Sequence, residues 1–136
     1  MHRLLFSVIF AFGLAGWGHA QDARDTAIQN TIQDQIEAFK ADDFGAAFSF
    51  ASPMIQGMFR TPENFGVMVQ RGYPMVWRPD DVRYLDLTEK DGRLFQKVII
   101  RDQNGALHML EYQMIQVNGD WQINGVQLLR QPDLGA

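Results

Sequence analysis

The fold is decided by residues 82–130, which read VRYLDLTEKDGRLFQKVIIRDQNGALHMLEYQMIQVNGDWQINGVQLLR. Three turn signals, Asp91-Gly92, Asn104-Gly105 and Asn118-Gly119, divide this stretch into four segments in which apolar and polar residues alternate. Such dipeptides favour the two-residue turns of β-hairpins, because both turn positions need positive φ. The stretch therefore predicts four strands of an antiparallel meander.

If each turn contains two residues, the register of the sheet follows, and residues that oppose each other across strands share a face. On this assumption Asp86, Lys97 and Tyr112 form one row across three strands, and Arg101 lies opposite His108. In a cavity that excludes water, such rows would be the polar contacts of a ligand pocket. On an open sheet they would be ordinary cross-strand pairs, and the pattern leaves both interpretations open.

Neither face of the predicted sheet is cleanly polar, although the solvated face of a one-sided sheet should be. We therefore expect both faces to be covered at least in part. Helices would cover one face, and a partner subunit or the curl of the sheet itself would cover the other. A homodimer is accordingly one of the predicted assemblies.

The residues before the sheet repeat with the period of a helix. Residues 25–41 carry apolar side chains at steps of four, four and three, and residues 44–51 continue this spacing. A third helix is predicted to begin at Thr61, where a capping hydroxyl precedes a proline and an acid, and to end at Gly72. The face of the first helix consists of Ile28, Ile32, Ile36 and Phe39. Three helices followed by a meander predict an α+β fold in which the helices cover one face of the sheet.

Residues 1–20 have the three parts of a cleavable secretory signal peptide. Basic residues precede a 13-residue apolar run at 4–16, and small residues lead up to Ala20. Since a membrane-crossing helix needs about 20 apolar residues, cleavage is favoured over a retained anchor. We expect a periplasmic or secreted protein without a membrane anchor after cleavage, in which residues 21–136 form a single domain.

Composition limits the partners. The chain has 12 basic and 16 acidic residues, and its net charge of −4 becomes −5 when the signal peptide removes Arg3. This sign opposes a nucleic-acid partner and an anionic membrane surface, because both attract basic patches. There is no cysteine, so disulfides and thiolate chemistry are excluded.

No motif in the sequence points to a cofactor or a metal. The phosphate-binding patterns GxxxxGK[ST] and GxGxxG and the hydrolase pattern GxSxG are missing. After cleavage one histidine remains, His108, and the acids lack the spacing of metal ligands. We predict neither a cofactor nor a metal, and we assign no catalytic residue.

An enzyme would need a general acid or base inside a pocket. The candidates are His108 and the four acids Asp42, Asp43, Asp86 and Glu111. Acids between two helices more often cap the second helix than react. A histidine beside Arg101 on an exposed strand is expected to be neutral. A structural role is therefore the simpler expectation for these residues.

The stretch GYPMVWRP, residues 72–79, offers a second candidate site. Its two prolines, Pro74 and Pro79, are expected to hold residues 75–78 extended between the last helix and the sheet. Tyr73, Trp77 and Arg78 would then form an aromatic and cationic lip that binds a ligand carboxylate or a partner. In the structural alternative, Trp77 fills the open end of the core and Arg78 pairs with a nearby acid.

A methionine-rich connector precedes the third helix. Its apolar residues are Met54, Ile55, Met58 and Phe59. Flexible methionines suit an adaptable ligand pocket. Packing over the core is the more frequent role of such a connector.

Three stretches of the chain resemble the exported bacterial family catalogued as domain of unknown function 4864, which looks like part of the nuclear transport factor 2-like superfamily. They are Gln35–Phe59 (QIEAFKADDFGAAFSFASPMIQGMF), Gly72–Pro79 (GYPMVWRP) and Asp120–Leu129 (DWQINGVQLL). The resemblance implies a cone-shaped fold, with a curved sheet around helices and often a pocket inside. It implies no catalytic residues, because that superfamily carries steroid isomerases, dehydratases and partner-binding modules on one scaffold.

Three functions fit these observations. The favoured hypothesis is a non-catalytic domain that binds a small apolar ligand or a protein partner. The alternative is a small isomerase or lyase that transfers protons in the same cavity. A third hypothesis is a purely structural or assembly role. A cavity lined by methionine and aromatic residues would support binding, whereas a buried acid in that cavity would support the enzyme.

Overall fold

The computed structural model describes residues 15–130. The five helices of this part are α1 (Ala15–Lys40), α2 (Phe44–Ser49), α3 (Pro53–Phe59), α4 (Pro62–Gly72) and α5 (Pro74–Trp77). They are followed by the strands β1 (Pro79–Lys90), β2 (Arg93–Asp102), β3 (Leu107–Val117) and β4 (Asp120–Leu129). The sheet is antiparallel in the order β1-β2-β3-β4. The predicted α+β fold, helices followed by a four-stranded meander, is confirmed.

Helix α1 carries the predicted apolar stripe into the core. Its residues Ile28, Ile32, Ile36 and Phe39 are at most 1% exposed. The helix already includes Ala15, the first described residue, so the predicted start at Asp25 is wrong. Residues 1–14 of the predicted signal peptide lie outside the described residues. Within residues 15–130, no helix is both long and apolar enough to cross a membrane.

Local signals explain where α2 and α4 begin. Asp43 caps α2, since its carboxylate accepts a hydrogen bond from the Ala46 amide at 3.1 Å. Thr61 caps α4 in the same way through the Asn64 amide. Both caps satisfy amides that the first turn of a helix leaves without a partner. The predicted start at Thr61 and the capping role expected in the 42–43 pair are thus confirmed.

Two short helices were not predicted. Helix α3 begins at Pro53, behind the capping hydroxyl of Ser52. The expectation of an extended link over residues 75–78 is wrong, because Pro74 begins helix α5. Proline at the first helical position loses no hydrogen bond and already has a helical φ. The Val76 amide closes the turn by donating to the Tyr73 carbonyl.

Two of the three hairpin turns have the predicted length. Lys90 pairs with Arg93 around Asp91-Gly92, and Val117 pairs with Asp120 around Asn118-Gly119. All four turn residues have positive φ, as this type of turn requires. The closing ends of both hairpins therefore follow the predicted register.

The middle hairpin is longer than predicted, and this shifts the register by one residue. Asp102 pairs with Ala106 through the Ala106 carbonyl, so the loop contains three residues, and only Gly105 in it has positive φ. The Asp102 carboxylate accepts from the amides of Asn104 and Ala106 at 2.9 and 3.0 Å. These bonds hold Gln103 in the loop, as in a three-residue hairpin with a glycine bulge.

The predicted polar rows are consequently wrong. Lys97 pairs with Glu111, whereas Tyr112 pairs with Gln96, so Lys97 and Tyr112 lie on opposite faces. Asp86 lies in an irregularity of β1 between Tyr84 and Leu87 and has no directly opposed partner on β2, so it extends neither the Lys97–Glu111 pair nor the Gln96–Tyr112 pair.

The other predicted pair fails for the same reason. Arg101 pairs with Leu107, and His108 pairs with Ile100. Because successive side chains of a strand point to opposite faces, Arg101 and His108 cannot share one. The polar rows, and the pocket inferred from them, do not exist in this sheet.

The helices cover one face of the sheet, here called the inner face. Val98, Ile100, Leu110, Tyr112 and Met114 are at most 1% exposed on it. The opposite, outer face carries the alternate residues, which are half-buried along the centres of β2 and β3. The predicted helical cover of one face is confirmed, and the core lies between the helices and the inner face.

Candidate functional site

A cleft of about 210 Å³ lies between the helical layer and the inner face of the sheet. Helices α3 and α4 form one wall, α1 contributes Gln35 and Phe39, and β3 and β4 supply the opposite wall. The lining residues are Gln35, Phe39, Ala51, Ile55, Met58, Phe59, Phe65, Met68, Val69, Tyr73, Val76, Tyr112, Ile123, Gly125 and Val126. The cleft opens to solvent at Met58, whose side chain is 63% exposed.

A cluster of phenylalanines builds the helical wall. The ring of Phe65 lies 5.7 Å from that of Phe39, 5.3 Å from that of Phe48 and 5.7 Å from that of Phe59, measured between centroids. These tilted pairs have the geometry that aromatic side chains prefer. Four elements thus share one rigid wall around Phe65.

Close backbone packing brings α2 against α4 beside this wall. A Cβ atom built on Gly66 would lie 2.6 Å from the Phe44 ring, which is far inside van der Waals contact. Only glycine fits at this position without displacing the ring. The spacing of the two helices, and with it the width of the helical wall, depends on Gly66.

The chain between α2 and α3 is tied to β4. The Ser52 amide donates to the Ile123 carbonyl at 2.8 Å, and the Ile123 amide donates to the Phe50 carbonyl at 2.9 Å. The Ser52 hydroxyl donates to the Asn124 amide oxygen at 2.7 Å. Ser52 is fully buried, so these bonds satisfy its polar groups inside the protein. They fix α3 over the cleft, next to the irregularity of β4 at residues 123–125.

The cleft is almost wholly apolar. Among its lining residues there is no aspartate, glutamate, histidine, lysine or arginine. Two polar side chains are engaged by the protein itself: the Gln35 amide nitrogen donates to the Ala47 carbonyl at 3.1 Å, and the Tyr73 hydroxyl donates to the Val126 carbonyl at 3.2 Å. The Gln35 amide cannot transfer a proton, and the Tyr73 hydroxyl is already held by a backbone carbonyl.

Tyr112 is the exception among the polar groups of the cleft. The residue is fully buried, and its hydroxyl has no hydrogen-bond partner among the described residues. Burial raises the pKa of the Tyr112 phenol, and the neighbouring phenols of Tyr84 and Tyr73 raise it further. The hydroxyl is therefore a neutral donor at physiological pH, and a buried donor without an acceptor is destabilising.

Two of the eight candidate ligand-binding residues from the sequence, Tyr73 and Tyr112, lie together at this cleft. The other six, Trp77, Arg78, Asp86, Lys97, Arg101 and His108, lie elsewhere. Within the connector, Ile55, Met58 and Phe59 line the cleft as the pocket interpretation expected, whereas Met54 is 55% exposed outside it. Met68 and Val126 were not expected there, because their spacing does not show whether the core is filled beside them. Gln35 was expected on the polar face of α1, but it is 3% exposed and lines the cleft.

Trp77 and Arg78 form a cluster with Asp42 that we call the Arg78 anchor. Arg78 donates two hydrogen bonds to the Asp42 carboxylate, at 2.9 and 3.0 Å, and its guanidinium lies 4.0 Å from the Trp77 ring centroid. The Trp77 indole donates to the same carboxylate at 2.9 Å. The hydrogen bonds from Trp77 and then Arg78 lower the pKa of Asp42. The alternative in which Arg78 pairs with a nearby acid is confirmed.

Among the remaining charged candidates, Arg101 and His108 have acidic partners, Asp86 is exposed, and Lys97 is half-buried on the outer face of the sheet. Arg101 contacts the Asp80 carboxylate at 2.9 Å, and the His108 Nε2 atom lies 2.8 Å from the Asp102 carboxylate. The hydrogen bond with His108 lowers the pKa of Asp102, as do the amides of the hairpin loop. None of these groups reaches the cleft.

Comparison with known proteins identifies the family of the chain. A family model described as "Domain of unknown function (DUF4864)" matches residues 21–136. No curated protein matches the sequence. Among solved structures, the chain is similar to the solution structure of a SEC-C motif containing protein from Rhodopseudomonas palustris, at 18% identity and a TM-score of 0.49, over 69% of this chain and 72% of the other.

Proposed function

We propose that this chain, which belongs to the DUF4864 family, binds a small, uncharged and mainly apolar molecule in the cleft beneath α3 and α4. The observation that carries the proposal is the lining of the cleft, which combines aromatic and methionine side chains and has no ionisable acid or base other than tyrosine. Ligand sites are typically concave and apolar with few polar groups. Because it has no aspartate, glutamate, histidine or lysine, the same lining gives less support to proton-transfer catalysis, which most often uses histidine or a carboxylate.

The volume of the cleft limits the size of the ligand. A dry apolar cavity of about 150 Å³ is enough to bind benzene. The cleft of about 210 Å³ is therefore suited to a molecule of one or two rings. The flexible side chains of Met58 and Met68 would adjust to the outline of such a ligand.

The Tyr112 hydroxyl is covered in the described structure, and in the proposed complex the ligand displaces the side chains that cover it and takes this hydroxyl as its polar contact. A charged ligand group would lose its hydration without gaining an opposite charge, so carboxylates and amines are disfavoured. A carbonyl or ether oxygen would accept the hydrogen bond that Tyr112 does not make within the described part of the protein. The preferred ligand is thus a neutral ring compound with one acceptor.

Three ring compounds of similar shape test this proposal by calorimetric titration: tetralin, 1-tetralone and tetralin-2-carboxylate. We expect tetralone to bind best, tetralin about fivefold to tenfold more weakly for want of one hydrogen bond, and the carboxylate not at all. Tyr112→Phe should bring tetralone down to the level of tetralin.

Val126→Phe places a ring in the cleft and should abolish binding, while Val67→Phe adds the same ring at a position of α4 that is 45% exposed and should leave binding unchanged. Equal binding of the carboxylate and the ketone, or unchanged binding by Val126→Phe, would contradict the proposal.

We also propose that the protein is exported and that it shares the nuclear transport factor 2-like architecture. The signal-peptide pattern of residues 1–20 supports export. The order of helices before a meander, with a cleft on the helix-covered face, supports the architecture. Cell fractionation followed by N-terminal sequencing should recover a periplasmic or secreted chain that begins at Gln21. A cytoplasmic chain that retains Met1 would refute the export.

A further inference from the structure

The outer face of the sheet is not organised like a surface turned to water. Across β2 and β3 its central residues pair in three rows: Phe95 with Gln113, Lys97 with Glu111, and Ile99 with Met109. All six side chains are half-buried, although the helices lie on the other face. The Gln113 amide nitrogen is covered but donates no hydrogen bond to the described residues. This nitrogen is covered within the protomer itself, so the half-burial of the six side chains is the feature that distinguishes this face from an ordinary exposed one.

The two charged side chains of this face take part in none of the described ion pairs. Lys97 and Glu111 oppose each other directly in the register, yet none of the ion pairs found within residues 15–130 includes either of them. Two apolar-containing rows flank them, one on each side. The pattern is therefore one positive and one negative charge, side by side, at the middle of a partly apolar face.

We propose that this outer face is the interface of a homodimer, in which Lys97 of each protomer pairs with Glu111 of the other across a two-fold axis. A two-fold interface requires a surface that complements itself, and one lysine beside one glutamate meets that requirement. Two acidic chains otherwise repel each other, so a locally neutral and complementary centre favours the pairing of like copies.

The size of the face agrees with this assignment. The four strands have 10 to 12 residues each. With strands about 4.8 Å apart and a rise of about 3.3 Å per residue, the face measures roughly 600 Å² before the relief of its side chains is counted. A stable interface takes about 800 Å² of accessible surface from each partner. The outer face alone is of that order.

Charge reversal tests the proposal through the oligomeric state, measured by sedimentation equilibrium of the purified protein. The wild type should be a dimer. Lys97→Glu and Glu111→Lys should each weaken dimerisation at least tenfold, because each creates like charges at the axis. Arg71→Glu, a reversal on the exposed side of α4, is the matched control and should remain dimeric.

Mixing the two single variants separates contacts between protomers from those within a protomer. Each variant keeps its own like-charge pair across β2 and β3. In a heterodimer of the two, however, both glutamates of the Lys97→Glu protomer face the lysines of the Glu111→Lys protomer, so opposite charges meet at both contacts. We expect the mixture to form heterodimers while each variant alone stays monomeric. Folded single variants that do not associate when mixed would overturn the pairing.

Carbodiimide coupling of the wild type supplies a measurement that needs no variant to fold. This reagent joins an amine directly to a carboxylate, so in a mixture of nitrogen-15-labelled and unlabelled protein it should give a product of twice the chain mass in which Lys97 of one label is cross-linked to Glu111 of the other; the mixed label excludes the pair within one protomer. A wild type that is monomeric at all concentrations, or a dimer without this cross-link, would overturn the proposal. Neither result would bear on ligand binding in the cleft.

Discussion

The polar groups on the two sides of Phe39 differ in whether they have hydrogen-bond partners. On one side the Phe39 carbonyl accepts a hydrogen bond from Arg78 at 2.9 Å, within the Arg78 anchor. On the other side the Phe39 ring lines the cleft. In the anchor the Asp42 carboxylate, the Trp77 indole and the Arg78 guanidinium all have partners. In the cleft the Tyr112 hydroxyl has none among the described residues.

This difference separates a structural cluster from a binding surface. The least ordinary stretch of the sequence, GYPMVWRP, uses Trp77 and Arg78 to fasten the end of α5 to the turn after α1. Their mutual contacts hold these side chains in place, and neither Trp77 nor Arg78 lines the cleft. The proposed site is built instead from ordinary apolar residues around one unpartnered hydroxyl. Polar groups that the protein leaves unsatisfied are the better indication of a ligand.

Phe39→Ala should cause the largest change in the free energy of unfolding, because Phe39 contacts both the Arg78 anchor and the cleft. The ring is 1% exposed and packs against Phe44 and Phe65. Its removal should lower the free energy of unfolding by about 3 to 5 kcal/mol, as for other buried aromatic residues. Urea denaturation measures the loss. Met54→Ala, at an exposed position of α3, should change it by less than about 0.5 kcal/mol. A loss of only about 1 kcal/mol for Phe39→Ala, well below the usual range, would mean that the two sides are not joined through this ring.

Tyr112→Phe should stabilise the protein, which is unusual for a change in the core. It removes a buried hydroxyl that has no partner among the described residues and keeps the ring. Since an unsatisfied buried polar group costs about 1 to 3 kcal/mol, we expect a gain of about 1 kcal/mol or more in the free energy of unfolding without ligand. A loss of stability in urea denaturation would show that the hydroxyl is satisfied, and the contrast between the cleft and the Arg78 anchor would disappear.

Tyr73→Phe is the matched substitution, and its effect should have the opposite sign. Tyr73 lines the same cleft, but its hydroxyl donates to the Val126 carbonyl. Removing this hydrogen bond should lower the free energy of unfolding by about 1 kcal/mol. Equal effects of the two tyrosine substitutions, in either direction, would show that hydrogen bonding does not distinguish them.

The sequence predicts the parts of the fold that depend on local chemistry. Asp91-Gly92 and Asn118-Gly119 form the expected turns, because two positive φ values strongly favour these pairs. Thr61 with Pro62 marks the start of α4 for a similarly local reason. The apolar period of α1 predicts its buried face. Each of these features is decided by a few adjacent residues.

The errors arise where one local choice competes with another. Asn104-Gly105 resembles the other two pairs, but the Asp102 side chain binds the loop amides and makes the hairpin one residue longer. The signal was present, since aspartate at the first position of a turn favours this geometry. That single residue moved Tyr112 from the face of Lys97 to the inner face.

The cleft itself could not be predicted from the sequence. Periodicity indicates that Phe65, Met68 and Val69 face the core, but not whether the core is filled there. The space depends on how α3 is held against β4 by Ser52 and Asn124, which lie 72 residues apart in the chain. A gap between packed elements is a property of tertiary structure and leaves no local pattern.

Acid titration should reveal the Arg78 anchor through the smallest of the expected effects. The hydrogen bonds of Trp77 and Arg78 lower the pKa of Asp42 in the folded protein below its ordinary value of 3.8. The folded state therefore binds this proton less readily than the unfolded state does. Its contribution to stability is complete above about pH 4 and is lost as the pH falls through the lower, folded-state pKa. Exposure of the carboxylate to solvent keeps the contribution small.

Asp42→Asn tests that contribution directly. The variant should lose part of the wild-type decline in the urea midpoint between pH 5 and pH 2.5, because asparagine has no proton to gain. Asp86→Asn, at an exposed aspartate that takes part in none of the described side-chain hydrogen bonds, should retain the wild-type decline. The cleft lacks carboxylates, so tetralone binding should not change between pH 5 and pH 8. If the urea midpoints of Asp42→Asn and the wild type change with pH in the same way, the Arg78 anchor does not stabilise the charged form of Asp42. The contrast between the anchor and the cleft would then depend on the Tyr112 and Tyr73 variants alone.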